Sequence, residues 1–154
     1  MVFCLLLADK TKWIEHMMEK RTSPRNEDLL EEIYKISLEK GYAKSRDIAG
    51  ALIISPATVT ERFKKLEEAG YVNYERYGGV TLTPEGIRIA ERTIQSHYAI
   101  RRLLELAGVE TTIANRDACI MEHGLSPDSY KKLVPFIEFI EKRCKGMEMK
   151  KQLS

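Results

Sequence analysis

One change of hydrophobic period constrains the fold of this chain more than any other feature. Up to Gly70 apolar residues recur at helical spacing, whereas from Tyr71 to Thr83 they read as two short strands carrying Val72, Tyr74, Val80 and Leu82. Gly78-Gly79 lies between the strands, where a hairpin turn needs φ > 0. Upstream, Ser23-Pro24 enters a helix that runs to about Lys40, with Leu29, Leu30, Ile33, Tyr34, Ser37 and Leu38 at helical spacing and Gly41 as its stop. Lys44 to Leu52 forms a short helix with Ile48, Ala49 and Leu52 inward, and Ile53-Ile54 turns the chain. Ser55 as N-cap and Pro56 at the first helical position open a third helix, with Val59, Phe63 and Leu66 inward and Gly70 at its end. Short helix, tight turn, second helix and hairpin is the order of a winged helix-turn-helix.

The remainder is helical. Thr83-Pro84-Glu85 starts a long helix to about Ala107, and Gly108 breaks it. A helix follows from about Glu110 to His123 and ends at Gly124. Ser126-Pro127 caps another that runs to about Arg143, leaving a frayed Lys-rich tail. The fold expected is mainly α with a small β-hairpin wing, a winged helix-turn-helix followed by a helical domain. The boundaries fall at 1–22 for an N-terminal extension, 23–84 for the winged helix, 85–144 for the helical domain and 145–154 for the tail. Residues 1–22 are loosely helical, and Met17 and Met18 near their end leave two readings open, a start assigned too early or a genuine extension helix.

Composition narrows the setting. The chain has 154 residues, 44% hydrophobic and 31% charged, as in an ordinary soluble domain. A net charge of +2 permits DNA binding through a local patch without demanding it. Cys4, Cys119 and Cys144 make an odd number of cysteines, which argues against a disulfide framework and for a reducing compartment. The apolar run from Val2 to Ala8 is too short to span a membrane, lacks the basic start of a secretory signal and is followed by Asp9 and Lys10. The protein is expected to be cytoplasmic.

In a winged helix the second helix of the motif enters the major groove N-terminus first. That places Ser55, Pro56, Ala57, Thr58 and Thr60 nearest the bases, where hydroxyls can hydrogen-bond and methyls can meet thymine methyls. Arg46, Arg62, Lys64 and Lys65 are placed for phosphates, and Arg76 and Tyr77 sit at the wing. A Lys-Lys pair or a Ser-Pro cap alone is equally a feature of any solvated helix; the ordered set of elements carries the reading.

The helical half holds a second signal. Cys119, Glu122 and His123 stand at i, i+3 and i+4 and so share one helix face. A thiolate, a carboxylate and an imidazole are all metal ligands. The preceding helix carries His97, so two of the three histidines of the chain fall on these neighbouring helices. Asp28 and Glu31, at i and i+3 on the first helix, are further candidates, although acids in a first turn also simply complement the helix dipole. Singly, each residue has a plainer role as a small buried thiol, a surface pair or a packing histidine. Together they describe a DNA-binding protein whose grip on DNA depends on a metal ion.

From about Pro24 to Arg143 the chain resembles the diphtheria-toxin-repressor family of metal-dependent regulators, including its manganese-transport-regulator branch. The resemblance is carried by residues 26–34, by Asp47-Ile48-Ala49, by Ser55 to Leu66, by residues 82–86 and most specifically by the segment from Asp117 to His123. It implies a cytoplasmic homodimer on double-stranded DNA, with a winged helix and a helical metal-binding and dimerisation domain. It also implies ligand roles for Asp28, Glu31, His97, Cys119, Glu122 and His123. On that resemblance the chain is expected to stop short of the SH3-like third domain of longer relatives.

Two departures bear on the metal. Iron-type relatives build a second site around the His97 position, with an acid four residues on and a histidine before the cysteine; Arg101 and Asn115 stand there instead, and a cation beside His97 opposes a second cation. Manganese-type relatives have glutamate at the position of Cys119, whereas Asp28 matches that branch, the iron-type members carrying methionine. The set is a hybrid. Carboxylates suit Mn²⁺ and a thiolate favours Fe²⁺, Zn²⁺ or Co²⁺. The expected cofactor is a divalent transition metal, Fe²⁺ or Mn²⁺, with Zn²⁺ or Co²⁺ chemically competent. The expected role is a metal-dependent regulator of metal-ion homeostasis, a repressor on the family pattern. The competing role is a metal-independent winged-helix regulator that senses a small molecule. An enzyme with Cys119 as nucleophile and His123 as base lacks an oxyanion hole and an orienting group.

Overall fold

The computed structural model describes residues 22–152. The expectation for the N-terminal extension lies outside them but for Thr22. Among the described residues the chain divides into two compact units, one ending at Ile94 and the other beginning at Gln95.

The first unit contains helices α1 (Pro24–Lys40), α2 (Ser45–Leu52) and α3 (Pro56–Glu68), strands β1 (Val72–Glu75) and β2 (Gly79–Leu82), and the start of α4 (Pro84–Leu106). Proline occupies the first turn of α1, α3 and α4, where its missing N–H leaves no bond unmade. Ser55 Oγ accepts from the Thr58 amide at 3.1 Å, and Gly41, at φ 82°, closes α1 by donating to the Ser37 carbonyl. The core gathers the apolar stripe of every element: Leu29, Leu30 and Ile33 from α1, Ile48 from α2, Val59, Phe63 and Leu66 from α3, Val72 and Val80 from the hairpin, Ile89 and Ala90 from α4. Burying a large apolar side chain contributes roughly 1.5–3 kcal/mol. Phe63 and Tyr74 meet as tilted rings with centroids 5.4 Å apart. Two polar links tie α1 to α4: Tyr34 donates to Glu91 at 2.8 Å, and Arg92 pairs with the buried Glu27 at 2.8 Å. Burial, and then the Glu91 carboxylate, push the Tyr34 phenol up to about 12.

The hairpin differs from expectation in one respect. Its register pairs Val72 with Leu82 and Glu75 with Gly79, so the loop is Arg76-Tyr77-Gly78. Of the two glycines, the left-handed conformation falls on Gly79, at φ 107°. A three-residue loop closed by a residue of positive φ is a common hairpin connection. A Cβ at Gly79 would also stand 2.7 Å from the Ala43 carbonyl oxygen. That close approach exists because Ala43 and Val80 exchange two main-chain hydrogen bonds, at 3.0 and 2.8 Å, which fasten the hairpin to the α1–α2 connection. The entry to α4 is equally tight. Thr83 donates its amide to Tyr71 O and its hydroxyl to Gly70 O, and its oxygen receives the Gly86 amide.

The second unit contains the rest of α4 with α5 (Thr111–Glu122) and α6 (Pro127–Gln152). The Glu110 carboxylate caps α5, accepting from the Thr112 hydroxyl and from the amides of Thr112 and Ile113; these bonds, the Thr112 hydroxyl first, hold it below the usual carboxylate range. Ser126 Oγ accepts the Ser129 amide and starts α6, which carries Pro135 inside it and continues to Gln152, past the end expected at Arg143. The buried apolar residues here are small or few: Ala99, Ile100, Ala114, Ala118 and Ile137. Arg102 bridges α4 to α6, 2.6 Å from Glu141 and 2.5 Å from Glu105. No described helix is long and apolar enough to cross a membrane.

Two substitutions test this architecture. Gly86→Ala would drive a Cβ into the Tyr71 carbonyl oxygen, a backbone atom that cannot rotate away. It is expected to lower the denaturation free energy by about 1–3 kcal/mol, read from the urea midpoint. Ile53, the C-cap of α2, has φ 54° and is 92% exposed. A β-branched residue in this region costs about 1–2 kcal/mol, so Ile53→Gly should raise the midpoint or, after glycine's unfolded-state entropy, leave it unchanged; a clear loss would contradict the strain.

Candidate metal centre

The centre is built where α4 and α5 face each other within the second unit. On α5, Asn115, Cys119 and Glu122 recur at i, i+4 and i+7 and so lie on one face, and His97 answers them from α4. Ala114 and Ala118, both fully buried, lie beside these residues on α5. Their short side chains let the helices approach until polar groups touch.

His97 Nδ1 lies 3.0 Å from Glu122 Oε2 and 3.6 Å from Cys119 Sγ. His97 Nε2 lies 3.0 Å from Asn115 Oδ1. The other carboxylate oxygen, Glu122 Oε1, is 3.5 Å from His123 Nε2. Glu122 therefore stands between two imidazoles, and its side chain is only 3% exposed. Cys119 is exposed, while His97 and His123 keep 17% and 14% of their side-chain surface in solvent.

This donor set fits a divalent transition metal. One atom each from His97, Cys119 and Glu122 lies within 4.8 Å of the others. Metal–donor bonds of about 2.0–2.3 Å place neighbouring donors roughly 3–4.5 Å apart. Nitrogen, sulfur and oxygen together suit first-row transition ions better than Mg²⁺ or Ca²⁺, which favour oxygen alone. A carboxylate so deeply buried also calls for a positive neighbour.

Four of the six candidate ligands are thus neighbours in one unit. Asp28 and Glu31 stand one turn apart on α1 in the other unit, both half-buried. Glu31 is 2.7 Å from Lys35, which also pairs with Glu32. Burial opposes the charge on Lys35, but hydrogen bonds to Glu31 and Glu32 outweigh it and raise the ammonium pKa. Asn115, in sequence only a departure from a second metal site, is in the structure a partner of His97. Its place one turn before Cys119 is the signal from which that could be read.

The candidate DNA-contacting residues lie on the first unit. Pro56, Ala57 and Lys64 on α3, Arg46 on α2 and Arg76 and Tyr77 in the hairpin loop are placed at its surface, Tyr77 92% exposed. The hydroxyls are partly engaged: Ser55 caps α3 and meets Thr58 Oγ1 at 2.8 Å, and Thr60 donates to the Pro56 carbonyl. Arg62 is half-buried, and Lys65 pairs with Glu61 at 2.8 Å, whose carboxyl it holds low. Arg76 lies over the Tyr77 ring. Lys44, 5.6 Å from the Tyr42 ring centroid, is an exposed cation beside α2 that sequence reasoning did not single out.

Two domain models match the chain. Residues 21–80 match the iron dependent repressor N-terminal DNA binding domain, and residues 83–151 match the iron dependent repressor metal binding and dimerisation domain. The HTH-type transcriptional regulator MntR of Lysinibacillus sphaericus (strain C3-41) is 37% identical over 119 residues, covering 77% of this chain and 86% of that protein. Among solved structures, the hypothetical protein SSo2273 from Sulfolobus solfataricus superposes with TM-score 0.62 at 29% identity, over 75% of this chain and 89% of that one. The manganese regulator SloR superposes with TM-score 0.65 at 26% identity, over 74% of this chain and 54% of that one.

Glu122→Gln keeps the shape of the buried group, removes its charge and turns one of its two acceptor oxygens into a donor. The variant is expected to fold, by circular dichroism, and to bind Mn²⁺ more than about 100-fold more weakly in calorimetric titration, beyond the usual cost of losing an outer partner. Undiminished affinity would remove Glu122 from the ligand set.

Proposed function

The chain belongs to the iron-dependent repressor family, and on that premise we propose that it is a cytoplasmic repressor whose DNA binding is switched on by Fe²⁺ or Mn²⁺. As a member of the family it is a metal-responsive, DNA-binding transcriptional regulator of metal homeostasis and not an enzyme.

The observation that carries the proposal is the meeting of His97, Cys119 and Glu122 in one unit of a chain whose other unit is a winged helix. His97, Cys119, Glu122 and His123 are the proposed ligands of the helical unit. Asp28 and Glu31 are proposed as further ligands, supported by their i, i+3 register on α1 and by the family resemblance. A bound divalent cation supplies the positive charge that offsets these carboxylates and gives the nitrogen, sulfur and oxygen donors a fixed geometry. Fe²⁺ is supported by Cys119, and Mn²⁺ by the acidic ligands and by the similarity to a manganese regulator.

The protein's own groups then act on DNA. α3 is proposed to enter the major groove with Ser55, Pro56, Ala57, Thr58 and Thr60 foremost, while Arg46, Lys64, Lys65 and the wing residues Arg76 and Tyr77 meet the backbone. In a homodimer the two recognition helices must stand about 34 Å apart, or a multiple of it. Carboxylates and imidazoles tied to one cation restrict the protein to such a spacing, so less ordering is left to occur on DNA. A coupling of about 1–3 kcal/mol gives roughly 5–150-fold metal dependence. Exposed Ile113, Ile120 and Met121 on α5 and Phe136 and Phe139 on α6 supply an apolar surface for the second copy.

The test is an anaerobic titration of apo-protein with Mn²⁺, Fe²⁺ and Zn²⁺ while its binding to DNA from upstream of its own gene is followed. Binding should rise with Mn²⁺ or Fe²⁺ and vanish with chelator, and His123→Ala should fold yet lose the response. DNA binding that survives chelation would instead favour the small-molecule regulator.

A further inference from the structure

His97 has two ring nitrogens, and each faces an oxygen. Glu122 Oε2 lies 3.0 Å from Nδ1, and Asn115 Oδ1 lies 3.0 Å from Nε2. A neutral imidazole has one N–H and one lone pair, and an amide oxygen can only accept. Without a metal the ring's donor and acceptor roles follow its tautomer, and an Nδ1–H can equally serve the Glu122 carboxylate. The orientation of the ring is what the structure gives: Nδ1 faces Glu122 Oε2 and Cys119 Sγ, the latter 3.6 Å away, and Nε2 faces Asn115. A cation held among His97, Cys119 and Glu122 would take the Nδ1 lone pair, the ring proton would then sit on Nε2, and Asn115 Oδ1 stands where it would accept it.

We propose that Asn115 is a positioning residue that commits His97 to the metal through Nδ1, by accepting the Nε2 proton and fixing the ring plane. The inference rests on the metal-centre reading above and goes beyond it in assigning a tautomer and the group that sets it. Metal-bound histidines commonly donate their other ring N–H to such an acceptor, which orients the ring and makes the bound nitrogen more basic. The spacing on α5 favours this role, since Asn115 stands one turn before Cys119 and about two before Glu122, and a single imidazole from α4 spans donor and orienter. Asn115 is itself exposed and contributes nothing to the buried core, which separates its effect on the imidazole from an effect on folding.

The full chain serves for the test. With ¹⁵N-labelled histidine and Zn²⁺ as a diamagnetic probe, the two-bond couplings of the His97 ring should show Nδ1 metal-bound and Nε2 protonated. Asn115→Ala should unfold at the same temperature as the parent apo-protein, yet bind Mn²⁺ and Zn²⁺ about 10–100-fold more weakly. Asn115→Asp keeps an acceptor oxygen at the same place and should restore affinity to within a few-fold of the parent. A ring bound through Nε2, or an alanine variant with unchanged affinity and unchanged tautomer, overturns the assignment while leaving the metal centre standing. Failure of the parent protein to bind Mn²⁺ or Zn²⁺ would overturn both.

Discussion

A buried carboxylate between two imidazoles is the arrangement on which the helical unit turns. Glu122 leaves only 3% of its side chain to solvent, with His97 and His123 at its two oxygens. Left without a positive neighbour, an ionised carboxylate in such a place is costly. The cost is relieved by protons on the imidazoles or by a cation shared among the donors. Either way α4 and α5 are held at the spacing that brings Cys119 and Asn115 to the same histidine. Whatever binds here selectively in the folded state also stabilises that state by mass action.

The apolar cores of the two units are unequal. The winged helix closes on Phe63, Leu66, Ile48 and their neighbours, large side chains fully withdrawn from water. Among the described residues the helical unit buries mainly alanines with Ile100 and Ile137, while Ile120 is 71% exposed and Phe136 and Phe139 more than half exposed. Alanines between helices permit close approach but withdraw little area. A unit of this kind gains much of its apolar burial from a second copy, in keeping with a metal binding and dimerisation domain. Pro135 inside α6 removes one main-chain donor from the helix, so that helix relies on its packing more than on an unbroken ladder.

Much of this is legible from the residues alone. The order of helices and hairpin follows from hydrophobic period and from Ser-Pro and Gly punctuation, because those signals are local. The shared face of Cys119 and Glu122 follows from helical spacing, and the nearness of His97 to both from helix order. The rest requires the third dimension. Which glycine of Gly78-Gly79 takes the left-handed conformation depends on a register fixed by Ala43, far away in sequence. The role of Asn115 depends on which ring nitrogen faces which helix. The engagement of Ser55, Thr58 and Thr60 in local hydrogen bonds depends on cap geometry, and it leaves Pro56 and Ala57 exposed among them in the first turn of α3. The continuation of α6 past Arg143 shows that a Lys-rich, polar composition does not by itself end a helix.

The fastening of the hairpin to the α1–α2 connection is made by main chain alone. Ala43 and Val80 exchange amide and carbonyl, and neither bond asks anything of the side chains in the loop beyond. Arg76 and Tyr77 are therefore displayed on a mount whose position does not depend on what they are. Substitutions there can accumulate without moving the hairpin, so the exposed chemistry of this loop is free to change among descendants of one ancestral regulator one residue at a time, each intermediate still folded.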